Sequence, residues 1–422
     1  MADWTAQVFQ NEYLPEGATD IHAIVTVTSH GTGHAGESGG AAEAIIIDCS
    51  GSMGAPQSKI IAARQAAAAA IDEIADETWF AVIAGVGLAQ PVYPASGMVQ
   101  ADGRTRAVAK DAVSRLTPQG GTAIGQWLLT AYEHFQAAPA TQRHAILLTD
   151  GKNEGETAKR LRTAVETVTG EFQCDCRGVG ADWDVGELRG IASALLGTVD
   201  LIADPRDMAA DFQAMMQTAM GRGVADAKLK VWAPQGAELL FVRQVAPTIE
   251  DLTDRRVNVT PLITEYPTGA WGDESRDYHV AVRVQAKPIG AEQLVARVQI
   301  EVAGQVVTQA LVKALWSDQT ELTTRINPAV AHYTGQAELA EVIQEGLAAK
   351  AAGDTDTATF KLGRAAQLAA ETGNEEATQR LAKVVDIEDA GTGTVRLKRD
   401  ASKLDEMALD TSSTKTSRVR PS

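Results

Sequence analysis

The stretch Ile45-Ile46-Ile47-Asp48-Cys49-Ser50-Gly51-Ser52-Met53-Gly54 constrains the fold of this chain more than any other. It opens as an uncharged β-branched run, the pattern of a strand buried on both faces of a parallel sheet. A Gly/Ser turn breaks the run, and the chain enters Ala62-Ala63-Arg64-Gln65-Ala66-Ala67-Ala68, a strong helix former. An aspartate and two hydroxyls in that turn put oxygen ligands at the carboxyl edge of the sheet, where open α/β sheets bind their ligands. Those oxygens suit a hard cation such as Mg²⁺ rather than zinc.

The surrounding sequence extends the pattern. Apolar runs at Ile45–Asp48, Thr78–Val86, Ala145–Thr149, Cys174–Val179 and Thr198–Ile202 predict strands. Amphipathic segments near Ser58–Ala75, Arg104–Leu116, Ile124–Gln136, Ala158–Val168, Val185–Leu195 and Arg206–Met220 predict the helices between them. Residues 41–223 are therefore expected to form one α/β domain, a doubly wound, mostly parallel sheet covered on both sides.

The flanks differ. Residues 226–317 carry short alternating strands and predict a β-sandwich, with Tyr278–Val284 the cleanest alternation. Residues 1–40 include Val8–Leu14 and the alternating run Ile21–Thr28, which has no sheet of its own. A lone strand cannot bury its apolar face, so it is expected to join the sandwich and make the α/β domain an insertion. Residues 328–385 predict a small bundle of about three helices, broken at Gly353-Asp354 and Gly373-Asn374. Residues 386–422 lose apolar periodicity and are expected to form a flexible tail.

Composition excludes several function classes. The 38 Lys+Arg against 55 Asp+Glu give a formal charge of −17, which argues against binding a nucleic-acid backbone. No segment reaches the apolar length of a membrane span, and Met1-Ala2-Asp3-Trp4 has neither the basic start nor the apolar core of a signal peptide. Three cysteines are too few for a disulfide framework or a closed zinc site. A cytoplasmic location is the expectation. Cys174 and Cys176 share one face of a strand as small apolar residues, and His30 and His34 sit in a glycine-rich linker that fixes neither ring.

Two later loops complete the motif. Gly120-Gly121-Thr122 precedes the helix at Ile124 and offers another hydroxyl; Thr149-Asp150-Gly151 ends a second buried strand in an aspartate. Three loops at one sheet edge would converge two carboxylates and three hydroxyls. The order D-x-S-x-S, G-G-T, T-D-G over roughly residues 41–223 resembles the von Willebrand factor A-type domain with its metal-ion-dependent adhesion site. Gly178–Asp184 is similar to that family's penultimate strand and loop. Carried over, the resemblance implies that Ser50, Ser52 and Thr122 ligate the cation directly, and Asp48 and Asp150 directly or through water. The metal would be Mg²⁺, with Mn²⁺ or Ca²⁺ as alternatives.

Neutral hydroxyls leave most of the ion's charge uncancelled, so it can accept a carboxylate from a protein partner. Catalysis would also need a general base beside an activated water. No His or Glu accompanies the motif loops apart from Glu154 and Glu156, which are expected to start the following helix. Ser50-Gly51-Ser52-Met53-Gly54 approximates a hydrolase nucleophile elbow, but no histidine lies between Arg160 and Gly223 to serve it.

The tail has two readings. Thr411, Thr414 and Thr416 beside Lys415, Arg418 and Arg420 form either a solvated end or a phospho-acceptor segment for a forkhead-associated-type partner. The resemblance brings Ser/Thr kinases and phosphatases into view as companions. In Thr268–Tyr278, Trp271 and Arg276 are expected to cap a turn within the sandwich, and Trp127 and Tyr132 to be core residues. The overall expectation is a non-enzymatic scaffold that binds a partner's acidic side chain through a metal.

Overall fold

The computed structural model describes residues 2–36, 40–416 and 418. Glu37, Ser38 and Gly39 of the glycine-rich loop and Arg420 of the tail lie outside the described residues. The chain divides into two units. One comprises residues 32–225 together with 269–272, and the other comprises residues 1–31, 226–268 and 273–422.

The first unit is α/β. Its seven-stranded sheet runs Val199–Ile202, Gln173–Val179, Gln142–Thr149, Ala41–Asp48, Trp79–Gly85 and Gln90–Tyr93, with Val99–Gln100 also paired to Trp79–Gly85. The first five are mutually parallel; the last two pair antiparallel with Trp79–Gly85. Gln90-Pro91-Val92-Tyr93 is short, contains a proline and is only half-covered, so it carries no apolar alternation. The central strand, Ala41–Asp48, is buried along its whole length, as its Ile-Ile-Ile run requires. The alanine-rich helix Ser58–Glu73 buries Ile60, Ala63, Ala66, Ala67, Ala70 and Ile71 in the core on one face of the sheet. Trp271 belongs to this unit and not to the sheets that follow: it exchanges backbone hydrogen bonds with Val224 at 2.9 and 3.1 Å. Tyr132 is half-buried, whereas Trp127 is fully buried.

The second unit combines strands from both ends of the chain. Asp20–His30 lies between Asp3–Gln10 and Ser275–Arg283, antiparallel to each, in a five-stranded sheet completed by Glu238–Ala246 and Glu250–Asp251. A six-stranded sheet runs Val257–Thr260, Ile263–Pro267, Ala227–Trp232, Glu292–Val302, Gln305–Trp316 and Tyr13–Leu14. After the short helix Thr320–Thr323 come three longer ones, Pro328–Ala351, Thr355–Glu371 and Glu375–Val384. They break at Gly353 and Gly373, whose φ angles of +80° and +63° favour glycine.

Of the flexible tail expected over residues 386–422, residues 386–416 are instead ordered. Val385–Asp389 pairs with Thr394–Leu397 in a hairpin, and Lys403–Ser413 is a helix. Val385, Val395 and Leu409 are buried in the core of the helical region. The segment is short enough that two or three apolar residues anchor each element, too few to register as periodicity. A local signal was present: Ser402 caps the helix by accepting from the Asp405 amide at 3.1 Å, the S-x-x-D start pattern. The last turn is also held, since the Thr414 carbonyl accepts from Ile249 at 2.8 Å and the Pro247 carbonyl accepts from Thr416 at 3.0 Å. Arg418 donates to Asp277 at 2.6 and 3.0 Å, and Asp277 further accepts from Thr26 and Tyr333.

Candidate metal-binding site

Three loops meet at the carboxyl edge of the α/β sheet. The central strand delivers Asp48, which is fully buried, and a single 3-10 turn, Gly51–Gly54, follows. Asp48 accepts the Ser50 amide at 2.7 Å through one oxygen and the Thr149 hydroxyl at 2.6 Å through the other. Thr149 belongs to the neighbouring strand Gln142–Thr149, so this bond ties two motif loops together. The Ser50 and Ser52 hydroxyls are 2.9 Å apart, and Ser52 donates to Asp150 at 2.6 Å.

The third loop is joined through its backbone. Gly51 donates to the Gly120 carbonyl at 3.1 Å and Gln119 to the Cys49 carbonyl at 2.6 Å. Thr122 is held from the other side, its carbonyl accepting from Gly155 at 2.6 Å. A side chain at Gly151 would place its Cβ 3.4 Å from both the Ser52 and the Thr122 hydroxyl oxygens. Those two hydroxyls therefore flank one small space. Asp48, Ser50, Ser52, Thr122 and Asp150 are thus brought together.

Burial pushes the Asp48 carboxyl up, to about 6, while hydrogen bonds from Ser50 and Thr149 pull against it. A carboxylate in that position gains from a nearby cation. Two carboxylates and three hydroxyls are an all-oxygen donor set that fits a hard divalent ion. Among the described residues, no group of three His, Cys, Asp or Glu side chains is placed to hold a metal.

Several contributors are not part of the motif. Glu156 does not start the next helix: Thr157 caps it, and Glu156 instead accepts the Gly125 amide at 2.5 Å. Asn153 accepts the Ile124 amide at 2.8 Å. Both satisfy free amides at the start of Ile124–Gln136 and so fix the loop carrying Thr122. Lys59 donates to the second oxygen of Asp150 at 2.6 Å, with 13% of its side chain exposed against 0% for Asp150. A lysine in the first turn of a helix, where the dipole disfavours cations, is the signal that could have found it.

The tail threonines lie in the other unit. Thr411 is 2% exposed and donates to the Met407 carbonyl at 2.9 Å; Thr414 and Thr416 are half-buried, and the Thr416 hydroxyl donates to Val245.

Away from the motif edge, the α/β unit buries a second charged group. His144 bonds Glu43 through Nδ1 at 2.7 Å and Asp175 through Nε2 at 2.9 Å. Glu43 and His144 are register partners, five residues before Asp48 and Thr149 on their strands, roughly 16 Å from the motif edge. Burial opposes the His144 charge, but the two carboxylates more than offset it and raise the imidazole to about 9.

The model for the von Willebrand factor type A domain matches residues 44–201, and that for the von Willebrand factor type A C-terminal domain matches residues 367–413. A solved structure of a von Willebrand factor type A protein from Catenulispora acidiphila is 48% identical, with a TM-score of 0.94 over 99% of this chain and 97% of that one. This chain belongs to the von Willebrand factor type A family. The ArnB paralog VWA2 from Sulfolobus acidocaldarius shares the fold at 14% identity and a TM-score of 0.57, with 98% of both chains covered. No curated protein matches. The matched C-terminal stretch contains the hairpin and last helix, so the ordered end of this von Willebrand factor type A protein is a family element.

Proposed function

We propose that this chain is a metal-dependent protein-binding module that engages an acidic side chain of a partner. Asp48, Ser50, Ser52, Thr122 and Asp150 would hold Mg²⁺, or Mn²⁺ or Ca²⁺ in its place. A bound divalent ion supplies a Lewis-acidic position that a carboxylate can fill. The chain's own part is to present neutral hydroxyls, which ligate without cancelling charge, and to keep the two aspartates buried and oriented. The observation that carries the reading is the hydrogen-bonded chain Thr149–Asp48–Ser50–Ser52–Asp150, with the Thr122 hydroxyl against the same glycine as Ser52.

Binding is favoured over catalysis because Ser52 is bonded to Ser50 and an aspartate, with His144 engaged by Glu43 and Asp175 further along the strands. A serine nucleophile is most often activated by a histidine base, and His144 is held elsewhere. The alternative of a phosphorylated tail is disfavoured by the burial of Thr411 and the bonded hydroxyl of Thr416. Among the described residues no helix is long and apolar enough to cross a membrane. We place the protein in the cytoplasm, where its three free, buried thiols suit a reducing environment.

The test is a pull-down from the native cell with the tagged full chain, in Mg²⁺ and in EDTA. The expected result is a set of proteins that EDTA removes, Mg²⁺ restores and Asp48→Ala fails to capture. An identical set in all three conditions refutes the proposal.

A further inference from the structure

Among the described residues, Lys59 is the charged side chain that bonds a candidate metal ligand without being a ligand itself. We propose that Lys59 is a built-in counter-cation: its ammonium and the divalent ion compete for Asp150, so that loading the site displaces Lys59. The inference rests on the metal reading above.

Asp150 is fully buried, with Oδ1 taken by the Ser52 hydroxyl and Oδ2 by Lys59 Nζ at 2.6 Å. A buried carboxylate without a cation is costly, so a site that empties and fills needs a substitute charge when the metal leaves. Lys59 can provide it reversibly. Its four-carbon stem is flexible, and its side chain keeps 13% exposure, a route by which the ammonium can return to water. Nothing in its own helix favours the position, since Lys59 is the second residue of Ser58–Glu73 and sits at the positive end of the dipole. The contact with Asp150 is therefore the interaction that draws the ammonium inward. A divalent ion in the same place offers Asp150 twice the charge. Once it is bound, the ammonium meets both the ion and the helix dipole as like charges, and leaving is favoured. The consequence is that Lys59 sets how tightly the site takes metal.

Isothermal titration of Mg²⁺ and Mn²⁺ into the full chain tests this with the wild type, Lys59→Met and Lys59→Arg. Lys59→Met removes the competitor and should bind about ten- to hundred-fold tighter, the range worth one charge-assisted hydrogen bond. Lys59→Arg keeps the charge and should bind no tighter than the wild type. In the wild type, metal should also raise the rate at which acetic anhydride modifies Lys59, read by mass spectrometry, with no substitution involved. Equal or weaker metal binding by Lys59→Met, beside measurable binding by the wild type, overturns the competition alone. Absence of binding in every variant, wild type included, overturns this inference together with the metal reading.

Discussion

Replacing His144 by glutamine should expose how much of the α/β unit's stability is held by buried charge. His144 lies between Glu43, which is 0% exposed, and Asp175, and both pairs are within 3 Å. Its folded-state value of about 9 stands above the ordinary 6.5. A group raised in this way stabilises the fold fully below its unfolded value and loses that contribution as pH climbs through the folded one. The difference of about 2.5 units at ~1.36 kcal/mol each is worth about 3 kcal/mol, present at pH 6 and lost above pH 9. Asp175 moves in the opposite sense, held well below the carboxylate range because the bonds and charge of His144 outweigh its burial. Its contribution is present above about pH 4 and lost on acidification below that, so both groups contribute together from about pH 4 to 6.5. His144→Gln leaves two buried carboxylates without their cation and should cost about 3–5 kcal/mol at pH 6. Urea unfolding of both proteins, with pulsed hydrogen exchange of peptides over Gln142–Thr149 and Gln173–Val179, gives the gap between them. The gap should shrink by about 3 kcal/mol between pH 6 and pH 9. A constant gap across that range refutes the charged-histidine account.

Other outcomes follow from particular contacts. Gly178→Ala puts a Cβ 1.9 Å from the Trp183 ring, which is itself buried, so about 3 kcal/mol should be lost and the melting temperature should fall measurably by calorimetry. Asp277→Ala removes the acceptor shared by Thr26, Tyr333 and Arg418, and should cost about 2–4 kcal/mol and make the C-terminal segment more sensitive to limited proteolysis; unchanged cleavage would count against its anchoring role. The thiols should resist alkylation, because burial pushes Cys49 up to about 12, and Cys174 is raised by its contact with Cys176 and by burial. Iodoacetamide at pH 8 should modify them only after unfolding, and rapid labelling of the native protein would contradict that.

Much of the α/β unit was legible locally. Ile124–Gln136 and Ala158–Val168 have the bounds their periodicity implies, and the buried strands fall within a few residues of their apolar runs. Strands covered on both faces and helices covered on one write their environment into composition, which is why such elements are readable. The motif loops stood out only as a set: Ser and Asp are ordinary turn residues taken singly, and it was the three-part order D-x-S-x-S, G-G-T, T-D-G that carried the resemblance. The antiparallel strands at Gln90–Tyr93 and Val99–Gln100 and the final hairpin were not readable, because their stability comes from what they pair with.

By itself, the sequence determined the main strands and helices of the α/β unit and the all-oxygen character of the candidate site. Tertiary structure alone decided that Lys59 reaches Asp150, that Glu156 serves the helix before it, and that His144 joins carboxylates from two neighbouring strands. Each of these joins residues far apart along the chain, and a charge buried by folding takes its partner from whatever the fold places beside it, not from its neighbours in sequence.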